Sequence, residues 1–442
     1  FSTVEGGGFG IYRTTAEGKT PELTVRITKG ISRFPQFLPD GRHFLYLVTR
    51  ASAEENGTYF RSLDGKENRR IVPDESGFFF GSGRLLFIRE NTLLAQRIDP
   101  GSGQTEGDPA PVATGVSLTT NLAYAPVTAS DSGILVYESG GSLPRTDITW
   151  FDRSGKILAS QTGNGGDPSV SPDGKFVAFM RLTASGADLW QWDLFRGAVQ
   201  LLHKDPAFGI EPVWSPKGDR IVFGSNRAGG VENFYMFNVN GAGPEEEFLS
   251  SNNGKTLTQW SRDGRFIVYS ETNLKTREDL WVLPLDNGKP QKPISFLHSE
   301  FNEAYGQLSP DSQWMAYTSD ESGRREVYVR AFPSAEEPKR ISVNGGDQPR
   351  WRGDGTELYF LGADAKLMAV SIKVASGAKL SLEPGQPQAL FTAPPLYHQF
   401  TYDYSFDVTA DGKGFLFNAS GENAASTHTL NVIVDWVAAL KK

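Results

Sequence analysis

Apolar and polar residues alternate in short runs along this chain, and turn residues separate the runs. The stretch 166–180, GDPSVSPDGKFVAFM, shows the pattern: a short strand, a turn, and a second strand that alternates from Phe176 onward. Pro172 presets φ in the turn, and Gly174 accepts the positive φ that a residue with a Cβ resists. The stretch therefore predicts a β-hairpin.

The same turn returns about every 40 to 50 residues, a period typical of repeat architectures. Each unit contains four strand-like pieces, as in EPVWSP, DRIVFGS, ENFYMFNV and EEEFLS. Four short antiparallel strands per unit are typical of a propeller blade. The pattern predicts an all-β protein, a single β-propeller of eight or nine four-stranded antiparallel blades. The turns lie at residues 38–41, 81–84, 130–133, 171–174, 215–218, 261–264, 309–312, 352–355 and 409–412.

The two ends of the chain look like complementary parts of one blade. Residues 1–30 hold strand-like pieces that resemble an outer half, and residues 402–442 hold an inner half. A propeller closes when one terminus completes the blade that the other began, which removes exposed sheet edges. We therefore expect 1–30 and 402–442 to share the closing blade. No linker separates domains, so residues 1–442 are predicted to form one domain.

Composition narrows the function classes. The net charge is −8 and the basic residues are scattered, which argues against nucleic-acid binding. The absence of Cys excludes disulfides and thiolate chemistry. No apolar run is long enough to span a bilayer, so we expect no membrane insertion within the chain. The start, FSTVEGGGFG, lacks Met and a signal sequence, which suggests a processed protein or a fragment of a longer one.

The candidates for chemistry are few. The turn Asp residues are spread one per blade, whereas a calcium site needs six to eight converging oxygens, so turn geometry explains them better. The His residues are far apart in sequence, and no HExxH or GxSxG motif occurs. We therefore expect no catalytic residues, no metal and no cofactor. The His residues are His43, His203, His298, His398 and His428.

The residue before each turn is apolar in nearly every unit, which predicts packing between neighbouring blades. Examples are Phe37, Trp214, Trp260 and Trp351. The preceding residue should face the other way, toward a central channel, and is often polar. Loops feeding the same strands add polar residues near one mouth of the channel. The resulting candidate ligand- or partner-binding residues are Gln36, Asp167, Glu211, Gln259, Glu303, Tyr305, Gln307, Gln348, Arg350 and Asp407. A water-filled channel that binds nothing accounts for these polar positions equally well.

The units PVWSPKGDRIVFGSNR, GQLSPDSQWMAYTSDESGRREVYVRAF and RFPQFLPDGRHFLYLV resemble the TolB-type repeats called WD40-like or PD40 propellers. The further segments DITWFDRSGK, DLWVLPLDNGKP, QPRWRGDGTELYFL and NVIVDWVAAL are similar to the extracytoplasmic sensor region that follows the kinase and single membrane helix in many bacterial serine/threonine kinases. This chain holds no Gly-rich nucleotide loop, HRD or DFG of its own.

The resemblance implies a non-catalytic propeller, the extracytoplasmic sensor of a bacterial signalling kinase that could be tethered by a helix upstream of Phe1. Its partner would be an unknown protein, peptide or small molecule. Two alternatives stay open: the propeller domain of a serine peptidase or a propeller lyase, and a TolB-like envelope scaffold. The same blades serve all of these roles, so the fold alone does not decide between them.

Overall fold

The computed structural model describes most of the chain and divides it into two compact units. Unit 1 comprises Phe1–Pro144 and Glu422–Lys442, and unit 2 comprises Arg145–Gly421. No helix among the described residues is long and apolar enough to cross a membrane. The described residues are 2–4, 9–18, 20–26, 30–49, 54–116, 123–140, 146–183, 186–227, 231–273, 276–334, 337–375, 381–396, 404–420 and 429–440.

Unit 1 contains four antiparallel sheets among its described residues; the first three consist of consecutive strands, and the last adds the distant strand β40 to β12 and β13. The sheets are β1 (Ser2–Val4), β2 (Phe9–Arg13) and β3 (Glu22–Arg26); β4 (Ile31–Phe37), β5 (His43–Thr49), β6 (Gly57–Ser62) and β7 (Asn68–Val72); β8 (Phe78–Gly81), β9 (Arg84–Arg89), β10 (Thr92–Ile98) and β11 (Thr105–Thr114); and β12 (Val127–Ala129), β13 (Ile134–Ser139) and β40 (Thr429–Val434). A short helix, α1 (Trp436–Ala439), follows β40.

Unit 2 contains six antiparallel sheets among its described residues. The first joins distant parts of the chain: β15 (Ile157–Thr162), β14 (Thr146–Asp152), β39 (Gly414–Ser420) and β38 (Phe406–Val408), in that order. The next two are β16 (Gly165–Val170), β17 (Phe176–Leu182), β18 (Ala187–Asp193) and β19 (Val199–His203); and β20 (Gly209–Trp214), β21 (Arg220–Ser225), β22 (Asn233–Asn238) and β23 (Glu246–Leu249).

The remaining three sheets of unit 2 follow the same plan, and two of them carry an extra short strand. They are β24 (Lys255–Trp260), β25 (Phe266–Asn273) and β26 (Arg277–Asp286) with β27 (Lys289–Pro290) and β28 (Ile294–Leu297); β29 (Glu303–Leu308), β30 (Trp314–Ser319), β31 (Glu326–Ala331) and β32 (Lys339–Arg340); and β33 (Gly346–Trp351), β34 (Glu357–Gly362) and β35 (Lys366–Ala375) with β36 (Ser381–Pro384) and β37 (Gln388–Thr392).

The predicted hairpin turn is present and explains the repeated sequence. The Gly174 N–H donates to the Ser171 carbonyl at 2.8 Å, and Gly174 has φ of 71°. The Ser171 side chain donates to Asp173 Oδ1, which also accepts the Lys175 N–H at 3.1 Å. The turn Asp therefore orders its own backbone, as Asp does in such turns.

The six sheets of unit 2 form a closed cycle through their innermost strands. In order, β16 contacts β20, β20 contacts β24, β24 contacts β29, β29 contacts β33, β33 contacts β38, and β38 contacts β16. Large apolar side chains fill the space between neighbouring sheets. Trp214, for example, packs with Met180 of one sheet and Phe223 of the next. The predicted all-β propeller of four-stranded antiparallel blades is confirmed.

The closing blade differs from the prediction. Strands from residues 1–30 pair only with one another among the described residues, whereas β39 pairs with β14 and β40 pairs with β13. The reason is that β38 and β39 supply the inner half of the sheet whose outer half is β14 and β15, so the cycle closes within residues 146–420. Eight or nine blades in one ring are not confirmed, and one domain over residues 1–442 stays a prediction.

The expected packing of the aromatic positions holds in unit 2 and fails in unit 1. Trp214, Trp260 and Trp351 are buried within clusters of apolar residues. Phe37 is 60% exposed; its ring meets Phe44 at a centroid distance of 6.3 Å and otherwise faces solvent. Phe37 is therefore not a core residue.

Candidate functional site

The innermost strands of unit 2 surround a cavity of about 410 Å³. Its wall mixes Pro and Trp residues with polar side chains from all six innermost strands and the segments next to them. Volumes of this size are typical of sites for small ligands. The polar residues that line it are Asp167, Ser169, Glu211, Thr258, Gln259, Arg262, Gln307, Arg350, Tyr404 and Asp407.

A bulge on the innermost strands sets the direction of several of these side chains. The pairing of β16 with β17 shifts register between Gly166 and Ser169, which leaves Asp167 and Pro168 outside the ladder. Asp167 takes the left-handed conformation, with φ of 51°. Pro168 has no N–H, so its exclusion from the ladder leaves no donor unpaired. Equivalent left-handed residues, each followed by Pro or Gly, are Glu211, Tyr305 and Gln348 in unit 2 and Phe34 in unit 1.

The bulge residues reach sideways to the neighbouring innermost strand. The Glu211 N–H donates to Asp167 Oδ2 at 3.2 Å, and the Leu257 N–H donates to Glu211 Oε2 at 2.6 Å. The Ser405 N–H donates to Gln348 Oε1 at 2.8 Å. Each of these bonds joins two sheets, so the bulge side chains help to hold the cycle of sheets together.

The position before the aromatic residue makes a second set of bonds between sheets. Gln259 uses both ends of its amide on Leu308 of the next innermost strand: Nε2 donates to the carbonyl at 3.0 Å, and Oε1 accepts the N–H at 2.7 Å. Gln36 makes the same pair of bonds with Phe80 in unit 1, at 3.0 and 2.8 Å. These amides are therefore fully used within the fold.

Arg350 and Asp407 complete the cycle in a similar way. Arg350 Nε donates to the Phe406 carbonyl at 3.2 Å and lies 3.5 Å from Asp407, and its guanidinium lies over the Tyr404 ring. Asp407 Oδ2 accepts the Val170 N–H at 2.7 Å. The charges of Arg350 and Asp407 therefore compensate each other on the wall of the cavity.

At two steps of the cycle, a Trp of the next strand donates a hydrogen bond to the backbone of this position. The Trp214 Nε1 donates to the Ser169 carbonyl at 3.0 Å, and the Trp351 Nε1 donates to the Gln307 carbonyl at 3.0 Å. Every step of the six-sheet cycle thus carries at least one hydrogen bond from a side chain of one innermost strand to the neighbouring one.

Asp167 differs from these bonded side chains, because one of its carboxylate oxygens has no donor among the described residues. Its side chain is buried, with 4% of the residue exposed, and Oδ1 accepts no hydrogen bond within the described part of the chain. Burial raises the pKa of Asp167 to about 7, although the Glu211 N–H works in the opposite direction. The cause is desolvation, since a carboxylate loses its hydration when it is buried.

The structure brings six of the ten predicted residues to this cavity and places four elsewhere. Those at the cavity are Asp167, Glu211, Gln259, Gln307, Arg350 and Asp407. Glu303, Tyr305 and Gln348 lie on innermost strands of unit 2 but do not line it, and Gln36 lies on β4 of unit 1. Whether any of the ten binds a ligand stays a prediction.

Sequence reasoning missed Arg262, Thr258 and Tyr404. Arg262 occupies the place of Pro in the SPDG turn, and its Nη1 donates to the Gly353 carbonyl at 3.1 Å. An Arg in place of the repeated Pro could therefore have pointed to this residue from the sequence alone. Thr258 and Tyr404 carried none, because Thr258 lies at a shortened bulge and Tyr404 lies ahead of β38 in the most irregular repeat.

Comparison with known proteins supports the resemblance found in the repeats. Residues 146–282 match the family model described as the TolB beta propeller domain (PD40). The Tol-Pal system protein TolB of Francisella tularensis subsp. mediasiatica is 25% identical over 268 residues, which cover 59% of this chain and 51% of that protein. The TolB protein of a subsp. tularensis strain is 30% identical over 268 residues, with the same coverage.

The chain spans about half the length of these curated relatives. Among solved structures, the putative TolB from Agrobacterium tumefaciens is 17% identical, with a TM-score of 0.47 over 63% of this chain and 98% of that one. The family match over residues 146–282 confirms the predicted resemblance to TolB-type β-propeller repeats. The similarity to kinase sensor regions stays a prediction.

Proposed function

We propose that this chain is a non-catalytic binding module, and that unit 2 takes a peptide segment of a partner protein into the cavity at its centre. The observation that carries the proposal is the closed cycle of six innermost strands around a cavity of about 410 Å³. A rigid concave site lined by apolar rings and a few polar groups is the usual form of a ligand site.

The walls of the cavity suit a peptide, which carries both apolar side chains and hydrogen-bonding groups. Pro168, Pro212 and the rings of Trp214 and Trp260 supply apolar surface, and polar side chains from every innermost strand supply the rest of the lining. A ligand would gain from apolar contact and from hydrogen bonds to polar groups of the wall. The relatives are named as proteins of the Tol-Pal system, which is consistent with a protein partner.

As part of the same proposal, the chain serves as the extracytoplasmic sensor domain of a bacterial signalling kinase. The support is the sequence similarity of segments such as DITWFDRSGK and NVIVDWVAAL to such regions. Sequencing the gene upstream of Phe1 tests this part. A kinase domain followed by one membrane helix is the expected result, and a gene that encodes neither removes the sensor role while leaving the binding module intact.

Peptide binding is tested by selecting from a random peptide display library on the immobilised chain and measuring each selected peptide by isothermal titration calorimetry. The variant Val213→Arg fills the cavity, because Val213 lines it. We expect micromolar affinity in the unaltered chain and at least tenfold weaker binding in this variant. Val343→Arg, at an exposed position of unit 2, is the matched control and should bind normally. Circular dichroism confirms that both variants fold.

Two results would contradict the proposal. The first is a library that yields no reproducible peptide. The second is a set of peptides that bind the Val213→Arg variant as tightly as the unaltered chain, since they would then occupy a different surface.

A further inference from the structure

The buried carboxylate of Asp167 has one oxygen that the fold does not use. Oδ2 accepts the Glu211 N–H at 3.2 Å, whereas Oδ1 has no donor within the residues that the structure describes. Asp167 lines the cavity, and only 4% of it is exposed. A buried acceptor without a donor costs about 1–3 kcal/mol, so natural proteins rarely retain one without a reason.

A second carboxylate stands on the adjacent strand of the same wall. Glu211 also lines the cavity, on the bulge of β20 that faces the bulge of β16. One of its oxygens, Oε2, is occupied by the Leu257 N–H. This side of the cavity therefore carries two carboxyl groups on adjacent strands, and each accepts a backbone N–H from the next strand.

The cations of the cavity are engaged on other groups. Arg350 lies against Asp407 and the Phe406 carbonyl, and Arg262 donates to the Gly353 carbonyl. Within the described part of the chain, Asp167 takes part in no ion pair of its own. The carboxyl group of Asp167 is thus not neutralised by a cation among the described residues.

We propose that Asp167, with Glu211 beside it, binds the primary ammonium group of the peptide that enters the cavity, with Asp167 Oδ1 as the receiving atom. This inference rests on the proposed function, because it names the chemistry of a ligand for the same cavity. A primary ammonium carries three N–H donors that point apart, and it can therefore donate to a single carboxylate oxygen such as Asp167 Oδ1.

Other cations fit this site less well. A guanidinium binds best when both oxygens of one carboxylate face its fork, but Asp167 Oδ2 is occupied by a backbone N–H. A hard divalent cation needs six or more oxygen ligands, and no group of three or more His, Asp or Glu with metal-binding geometry occurs among the described residues. Burial also raises the pKa of Asp167, as expected of a buried carboxyl group that has no positive charge beside it.

A primary ammonium in a peptide comes from the N-terminus or from a lysine side chain, and four short amidated peptides separate these sources. They are Ala-Ala-Ala with a free N-terminus, and acetylated Ala-Lys-Ala, Ala-Arg-Ala and Ala-Ala-Ala. Titration is followed by calorimetry with the full chain. We expect at least one peptide with a primary ammonium to bind tenfold or more tightly than both acetylated Ala-Ala-Ala and acetylated Ala-Arg-Ala.

The variant Asp167→Asn keeps the size of the side chain and removes its charge, and it should abolish that tenfold preference. Asp167→Ser provides a second test in case the amide finds a new partner. Asp286→Asn, an exposed position on β26, is the matched control and should keep the preference. Thermal unfolding confirms that each variant is folded.

The outcomes distinguish this inference from the proposed function. If library peptides bind and are blocked by Val213→Arg, but acetylation or Asp167→Asn leaves their affinity unchanged, the cavity binds peptides and the ammonium site is wrong. A preference for the arginine peptide also overturns the inference. If neither the library nor the four probes bind, both proposals fail.

Discussion

Two sides of the unit 2 cavity use polar side chains in opposite ways. On the side formed by β24 and β29, both ends of the Gln259 amide bond the backbone of Leu308, and Gln307 Nε2 donates to Thr258 O at 2.9 Å and Tyr404 Oη at 3.1 Å. On the side formed by β16 and β20, Asp167 keeps an oxygen that has no donor within the described ranges. A polar residue on an inner strand therefore indicates a ligand only when the fold leaves part of it unused.

The two sides of the cavity are therefore expected to have different roles, one in stability and the other in binding. The amide side is saturated and should matter for holding neighbouring sheets together. The carboxyl side carries an electrostatic cost in the free protein and should matter for what enters the cavity. Substitutions on the two sides should therefore produce effects that differ in kind and in size.

The largest effect is expected for Gln259→Leu. The substitution leaves the N–H and the carbonyl of the buried Leu308 without their side-chain partners. Each such group costs about 1–3 kcal/mol, so the free energy of unfolding should fall by about 2–4 kcal/mol. Urea unfolding followed by tryptophan fluorescence measures the loss.

Gln388→Leu makes the same chemical change at an exposed position of the outer strand β37 and should alter stability by less than about 0.5 kcal/mol. Equal effects of the two substitutions would show that the Gln259 bonds contribute nothing to the cohesion of the sheets. The comparison of the two cavity sides would then lose its basis.

The local features of the fold could be predicted from the sequence because they depend on residues that are neighbours along the chain. The SPDG turn needs only Pro172, Asp173 and Gly174, and alternation within a strand needs only its own residues. The closing blade was mispredicted because it depends on which distant edges meet. The strands β14 and β39 lie far apart in sequence. Their alternation of apolar and polar residues also occurs in other strands, so it does not identify them as partners.

The candidate site was partly predictable for a related reason. The sequence placed Asp167 and Glu211 in loops that feed the inner strands, whereas they lie within β16 and β20. Counting back from the turn found Gln259, but it did not reveal that both ends of its amide bond a neighbouring strand. Satisfaction of hydrogen bonds is a property of the assembled sheets. The dipeptides Asp167-Pro168 and Glu211-Pro212 were a signal for the bulge, since Pro can leave a ladder without loss of a donor.

An intermediate effect is expected from pH, on the carboxyl side. Burial raises the pKa of Asp167 to about 7, above the value of about 3.9 for an unfolded Asp. The folded state then holds a proton that the unfolded state has lost, so this contribution to stability is complete below about pH 4 and disappears as the pH rises through about 7. Glu278, another buried carboxyl group with a pKa raised to about 7 by burial, acts in the same direction.

The variant Asp167→Asn removes one of these two groups. The fall in unfolding free energy between pH 5 and pH 8 should shrink by about 1–3 kcal/mol relative to the unaltered chain. Urea titrations at the two pH values provide the measurement. The Gln259→Leu variant should keep the original pH profile at lower overall stability. An unchanged profile in Asp167→Asn would mean that Asp167 is ionised in the folded protein throughout this range.

The smallest predicted effect concerns the step between β29 and β33, where a Trp replaces the amide. Trp351 Nε1 donates to the Gln307 carbonyl at 3.0 Å, whereas the Trp314 Nε1 has no hydrogen-bond partner among the described residues. Both rings are buried in the same cluster of apolar residues, so Phe at either position removes a similar volume. Trp351→Phe should cost about 1 kcal/mol more than Trp314→Phe, the usual contribution of one hydrogen bond. Urea unfolding of the two variants side by side measures the difference, and equal costs would mean that the indole bond adds nothing to the packing of the ring.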